Sequence, residues 1–115
     1  MKIAGGLSIS GQYNSIKYTA SAAIDWANGN VQDLTLGGSN SLTFSNLMAG
    51  AIYTLYIRQD GTGGRTITWP SSGAVVKWPG GVAPTLSSSI NALDVFTFTS
   101  DGTNLYNLGF AADLK

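Results

Sequence analysis

The sequence contains no histidine, no cysteine and no glutamate. The usual general base, the thiol nucleophile and the commonest transition-metal ligands are therefore missing. Six aspartates make up the acidic complement: Asp25, Asp33, Asp60, Asp94, Asp101 and Asp113. Three of them precede or sit near turn glycines or asparagines, where Asp is favoured because its side chain bonds its own backbone. So small an acid–base inventory argues against an enzyme, and no catalytic, cofactor-binding or metal-binding residue is assigned. The lack of cysteine also removes any disulfide framework. Charge is scarce as well: 10% of residues are charged, and the formal net charge is zero. A binder of nucleic acid or of a membrane surface needs a basic patch that this composition does not supply. No apolar run approaches the ~18 residues of a membrane span. The start, MKIAGGLSIS, is broken by Gly5, Gly6, Ser8 and Ser10, and lacks the apolar core of a secretion signal. The expectation is a protein made and used in the cytoplasm, or carried out of a cell within a particle. Sparsely charged, near-neutral surfaces tend to associate, which hints at an assembly subunit.

What the chain does contain is the signature of short strands. Its 115 residues suit one domain able to bury a core without staples. Segment 31–36 sets Leu34 and Leu36 against Val31, Asp33 and Thr35, and segment 42–45 sets Leu42 and Phe44 against Thr43 and Ser45. Segment 51–59 is partly apolar on both faces and reads as a central strand. In 94–99, Phe96 and Phe98 alternate with Val95, Thr97 and Thr99, which proposes the two rings for the core. The last strand, 104–110, offers Tyr106, Leu108 and Phe110 on one side. LGGSNS (36–41), QDGTGGRT (59–66) and SDGTN (100–104) carry the turn chemistry, the last two as hairpins. GTGG lacks the Gly-Lys-Ser/Thr ending of a phosphate loop and precedes a strand, so it reads as a turn. The class expected is all-β: a single small β-sandwich or barrel of about eight short antiparallel strands.

Two Trp-Pro pairs, Trp69-Pro70 and Trp78-Pro79, stand nine residues apart in a chain with three tryptophans. Proline has no N–H to give a ladder, so each pair ends a short strand. Each indole can then close an end of the fold, or serve as a stacking platform for a sugar. Trp26, Trp69, Trp78, Tyr13 and Tyr18 are the candidate interaction surface. Residues 1–21 form an N-terminal strand or arm, and 22–115 the main β domain. Within the former, Tyr13 to Thr19 reads either as the first strand of the domain or as an arm that pairs with a neighbouring subunit.

From Ala22 on, the order of motifs is distinctive. AIDWANGNVQDLTLGGSNSLTFSN precedes AGAIYTLYIRQDGTGGRTITWP, followed by VKWPGGVAPTLS and DVFTFTSDGTNLYN. This series resembles a β-rich module of tailed-bacteriophage virion proteins, of the tail-fibre and particle-surface type, here nearly free-standing. The resemblance implies no catalytic residues. It implies a structural protein of the virion, made in the host cytoplasm, and most readily a capsid decoration or cement subunit. The alternative is a tail-fibre or receptor-binding module that takes a host surface glycan. The partners expected are the major capsid protein or tail proteins, with a homo-oligomer, a trimer by analogy, as the working assembly.

Overall fold

Ile52–Gln59 shows why this sequence builds sheets. Tyr53, Leu55, Ile57 and Gln59 are buried, while Ile52, Thr54, Tyr56 and Arg58 lie on the opposite, more open face. In the computed structural model this stretch is strand β8. The structure describes residues 18–115 and, upstream, the backbone strands Lys2–Ile3 (β1) and Gly5–Gly6 (β2). The other described strands are β3 (Tyr18–Thr19), β4 (Ala23–Asp25), β5 (Val31–Leu36), β6 (Asn40–Ser41), β7 (Thr43–Ser45), β9 (Ile67–Thr68), β10 (Val76–Lys77), β11 (Leu93–Ser100) and β12 (Leu105–Ala111). Short 3-10 turns occupy Trp26–Asn28 and Pro79–Gly81. The all-β class holds. Of the expected strand from Tyr13 to Thr19, Tyr18 and Thr19 are described, and Tyr13 lies outside the described residues.

Strand direction departs from the antiparallel expectation. The main sheet has six strands in the order β10-β12-β11-β8-β5-β3. Its β12–β11–β8 centre is antiparallel, whereas β8–β5, β5–β3 and β10–β12 are parallel. A second layer is parallel throughout: β4 pairs with β7, and β6 with β9. The amides of Leu42 and Thr43 donate to Thr68 and Ala22. Residues 40–45 thus serve as one strand, bonded to β9 through its first half and to β4 through its second.

From β3 to β9 the chain passes alternately between the layers and winds as a short solenoid. The turns of this winding are unequal. Tyr18 lies opposite Gln32, Ala23 opposite Thr43, Val31 opposite Thr54, and Asn40 opposite Ile67.

The layers meet over one core. Leu34, Leu36, Tyr53, Leu55, Ile57, Phe96, Phe98 and Leu105 come from the six-stranded sheet, and Ile24, Trp26, Leu42 and Phe44 from the other side. Trp26 stacks on Tyr53 with ring centroids 4.3 Å apart, and Phe44 meets Phe98 at 6.3 Å. β8 is interior, as its two apolar faces suggest, lying between β11 and β5.

Among the expected hairpins, SDGTN forms as one, joining antiparallel β11 and β12. Asp101 accepts hydrogen bonds from the amides of Thr103 and Asn104 and from the Tyr106 hydroxyl. QDGTGGRT is a connection between layers instead, since β8 pairs with β5 and β11 and β9 pairs with β6. The last strand also differs. A bulge between Thr97 and Phe98 places Asn107 opposite Phe98 but Gly109 opposite Thr97, and one extra residue reverses the alternation. Phe110 therefore packs against Phe96 at 4.7 Å, while Tyr106 and Leu108 are exposed and Leu105 is the buried residue.

The turn carboxylates predict the response to acid. Asp60 is held below the ordinary 3.8, chiefly by the Arg65 side chain and then by the amides of Gly63 and Thr62. Asp101 is likewise lowered, by Asn104 first, then Thr103 and Tyr106. A carboxyl lowered on folding stabilises above its unfolded value, and that contribution is lost as pH falls through the folded one. The sequence has no histidine, the side chain that ordinarily titrates between roughly pH 5 and 8. Thermal melts should accordingly shift little across that interval and fall below about pH 4. A drop beginning near neutrality would contradict this account.

Candidate interaction surface

The two Trp-Pro pairs sit just beyond the strands they end: Trp69 follows β9 and Trp78 follows β10. Proline stops each ladder there, and the indoles turn toward one another. Trp69 and Trp78 meet edge to face at 4.8 Å, and both lie edge to face against Phe96, at 5.1 and 6.0 Å. Phe44 links this pair to the third tryptophan, 6.4 Å from Trp69 and 6.0 Å from Trp26. The three tryptophans therefore belong to one aromatic chain through the core.

Their exposure differs. Trp26 is 3% exposed and its Nε1 is buried, with no hydrogen-bond partner among the described residues, so it offers a ligand neither ring face nor accessible donor. Trp69 and Trp78 are half-buried. Tyr18 is 41% exposed on β3, the outermost strand of the six-stranded sheet, away from the tryptophan cluster.

After Trp78 the chain returns over the tryptophans as residues 79–92, held by polar latches. Gln59, buried, donates to the carbonyls of Arg65 and Ser87 and accepts from the Arg65 amide. Buried Asp94 accepts from the amides of Ser87 and Asp113. Asp60 ties its own loop through the amides of Thr62 and Gly63 and through Arg65. Gly63 has φ +72, and a Cβ there would stand 2.8 Å from the Ser88 carbonyl oxygen. The DGTGGR stretch is thus a clamp for the returning segment, and glycine is required at 63 by both backbone and space.

Two grooves flank that segment and share Ala83 and Pro84. One, of about 440 Å³, is lined by Arg65, Thr66, Trp69, Thr85 and Ser88 among others. The other, of about 380 Å³, runs between Pro79, Val82 and Pro84 on one side and Asn107 to Phe110 on the other. Sequence reasoning reaches Trp69 and misses the remaining lining residues. The KWPGG-APTLS stretch signals a turn, but nothing local says that it folds back beside β12.

The remaining aspartates are also engaged. Asp25 accepts from the Asn46 side chain and the Ala27 amide, Asp33 pairs with Arg58 at 2.9 Å, and Asp113 with Lys115 at 3.4 Å. Among the described residues no group of acidic side chains is placed to hold a metal ion.

The outward face of the six-stranded sheet carries Lys77, Tyr106, Thr99 and Ile52 in one row and Val95, Tyr56, Asp33 and Thr19 in another. Its charges on β5 and β8 are Asp33 and Arg58, which pair with each other. Lys77, opposite Tyr106 on β10, adds one cation at its edge, and these residues lie outside the core cluster.

No curated protein and no solved structure matches the chain. A family model described as "Putative phage tail fibre C-terminal domain" matches residues 15–105, which takes in every strand from β3 to β11 and the start of β12. By that match over most of its length, together with its all-β architecture, the chain belongs to the phage tail fibre C-terminal domain family and is a β-rich module of the phage tail-fibre type.

Proposed function

We propose that this domain is a docking module of the virion, working by contact with other virion proteins and not by chemistry. The observation that carries the reading is the outward face of the six-stranded sheet, which is rich in Thr, Val, Ile and Tyr, with Asp33 and Arg58 paired to each other and Lys77 at its β10 edge. Such a face can approach another protein, or a second copy, with few charges to desolvate. The aspartates support a non-catalytic role, because each already holds backbone amides or a cation in place.

Two placements suit the module. One is a decoration or cement subunit on the major capsid protein; the other is the end of a tail fibre. Immunogold labelling of purified particles, with mass spectrometry of separated heads and tails, distinguishes them. The expected result is label on intact particles, over the head for the first placement and at the fibres for the second. Absence from purified particles would overturn the docking reading.

The groove beside Trp69 favours a second reading, binding of a host surface glycan. Trp69 supplies a partly exposed aromatic, and Arg65, Thr66, Thr85 and Ser88 supply polar groups around it. Glycan-array binding by the parent chain tests that reading directly.

A further inference from the structure

The strand position beside β12 is only half filled. β10 pairs with β12 at Val76↔Leu105 and Lys77↔Tyr106. The chain then leaves through Trp78 and Pro79, and Gly80 and Gly81 turn it away with φ 65 and 77. From Asn107 to Ala111, β12 has β11 on one side and, among the described residues, no strand on the other. An open edge alone is ordinary. Here it forms one wall of the 380 Å³ groove whose opposite wall is Pro79, Val82, Ala83 and Pro84. Val82 is 74% exposed and Leu108 58%. At Gly109, in the floor, a Cβ would meet nothing within 4 Å. Every residue lining this groove is uncharged.

We propose that the groove takes one extended, uncharged polypeptide segment of another virion chain, which adds as a strand beside Asn107–Ala111. This rests on the reading of the domain as a docking module and names where the partner enters. A strand is the fitting occupant because the wall is a β edge, whose backbone groups are satisfied by another backbone. Five residues at ~3.4 Å each span ~17 Å, a normal strand length. The segment is uncharged because an ionised side chain set against Leu108, Phe110, Val82 and Pro84 loses its hydration and meets no opposite charge. Apolar residues at alternate positions of the incoming strand cover Val82 and Leu108. Asn107, bonded to the carbonyls of Thr97 and Gly109, holds the bulge in shape beneath it.

The test uses the whole chain and two probes: a capped heptapeptide of alternating valine and threonine, and the same peptide with alternate amides N-methylated. Binding is followed by amide hydrogen exchange read by NMR. The first peptide should bind saturably and slow exchange within residues 107–111 about tenfold or more, and the methylated one should not. Leu108→Asp should leave the melting temperature nearly unchanged, since the side chain is exposed, and weaken binding about tenfold. Equal binding of both peptides, protection confined to another edge such as β3, or no saturable binding at millimolar peptide would each overturn the proposal. These outcomes are read on the isolated chain, so they are independent of whether the protein is found in virions.

Discussion

Phe98→Ala is expected to lower the unfolding free energy by about 3 to 5 kcal/mol. The ring is fully buried at the centre of the six-stranded sheet, opposite Tyr53 on β8 and Asn107 on β12. It touches both layers, with Phe96 stacked at 6.2 Å within its own strand, Trp78 beyond β10 at 6.1 Å, and Phe44 and Trp69 at 6.3 and 6.4 Å from the other layer. Truncation therefore removes contacts in every direction and leaves a cavity between two sheets that cannot easily collapse. Against a typical total of about 5 to 15 kcal/mol, such a loss brings the domain near its unfolding threshold. Denaturant melts should show a lower midpoint with an unchanged slope. A loss below about 1 kcal/mol would place the ring outside the core.

Trp69→Ala comes second, with an expected loss of about 3 kcal/mol, at the lower end of the range for large aromatics because the indole is only half-buried. Its edge-to-face contacts with Trp78 and Phe96 and its stacking on Phe44 join the returning segment to the core. The same indole lines the larger groove, so one substitution separates two roles. If the ring is a rivet, the melt falls and the parent chain has no affinity for glycans. If it is a platform, the melt hardly moves and glycan binding is abolished. A stable variant that no longer binds sugar would reverse the preference for docking over glycan recognition. Reduced stability beside a parent that binds no glycan supports it.

Much of the core was legible because burial in a strand has a period of two. Tyr53, Leu55 and Ile57 alternate with more polar neighbours, as do Phe96 and Phe98, and all five are buried. The DGTN hairpin was equally legible, since Asp-Gly at a tight turn is a local device. The final strand was misread for a reason that is also local in effect but not in cause. The bulge depends on how β12 sits against Thr97 and Phe98, and it turned Tyr106 and Leu108 outward while Phe110 stayed in.

Composition and pattern by themselves determined that this chain is all-β, that its apolar alternation builds one aromatic-rich core, and that its chemistry-bearing side chains are few. Those properties follow from residue type and nearest neighbours. Only the tertiary structure decided which strands run parallel. Parallel partners are distant in sequence, and the alternation of a half-buried strand looks the same in either direction. Unequal spacings between partners, as from Tyr18 to Gln32 and from Asn40 to Ile67, also hide the solenoid winding, which has no fixed period to detect. The grooves were decided at the same level. Each forms where residues 79–92 fold back, beside Trp69 on one side and β12 on the other. The latches that place that segment, Gln59 to Ser87 and Asp94 to Ser87, join residues that no local pattern connects.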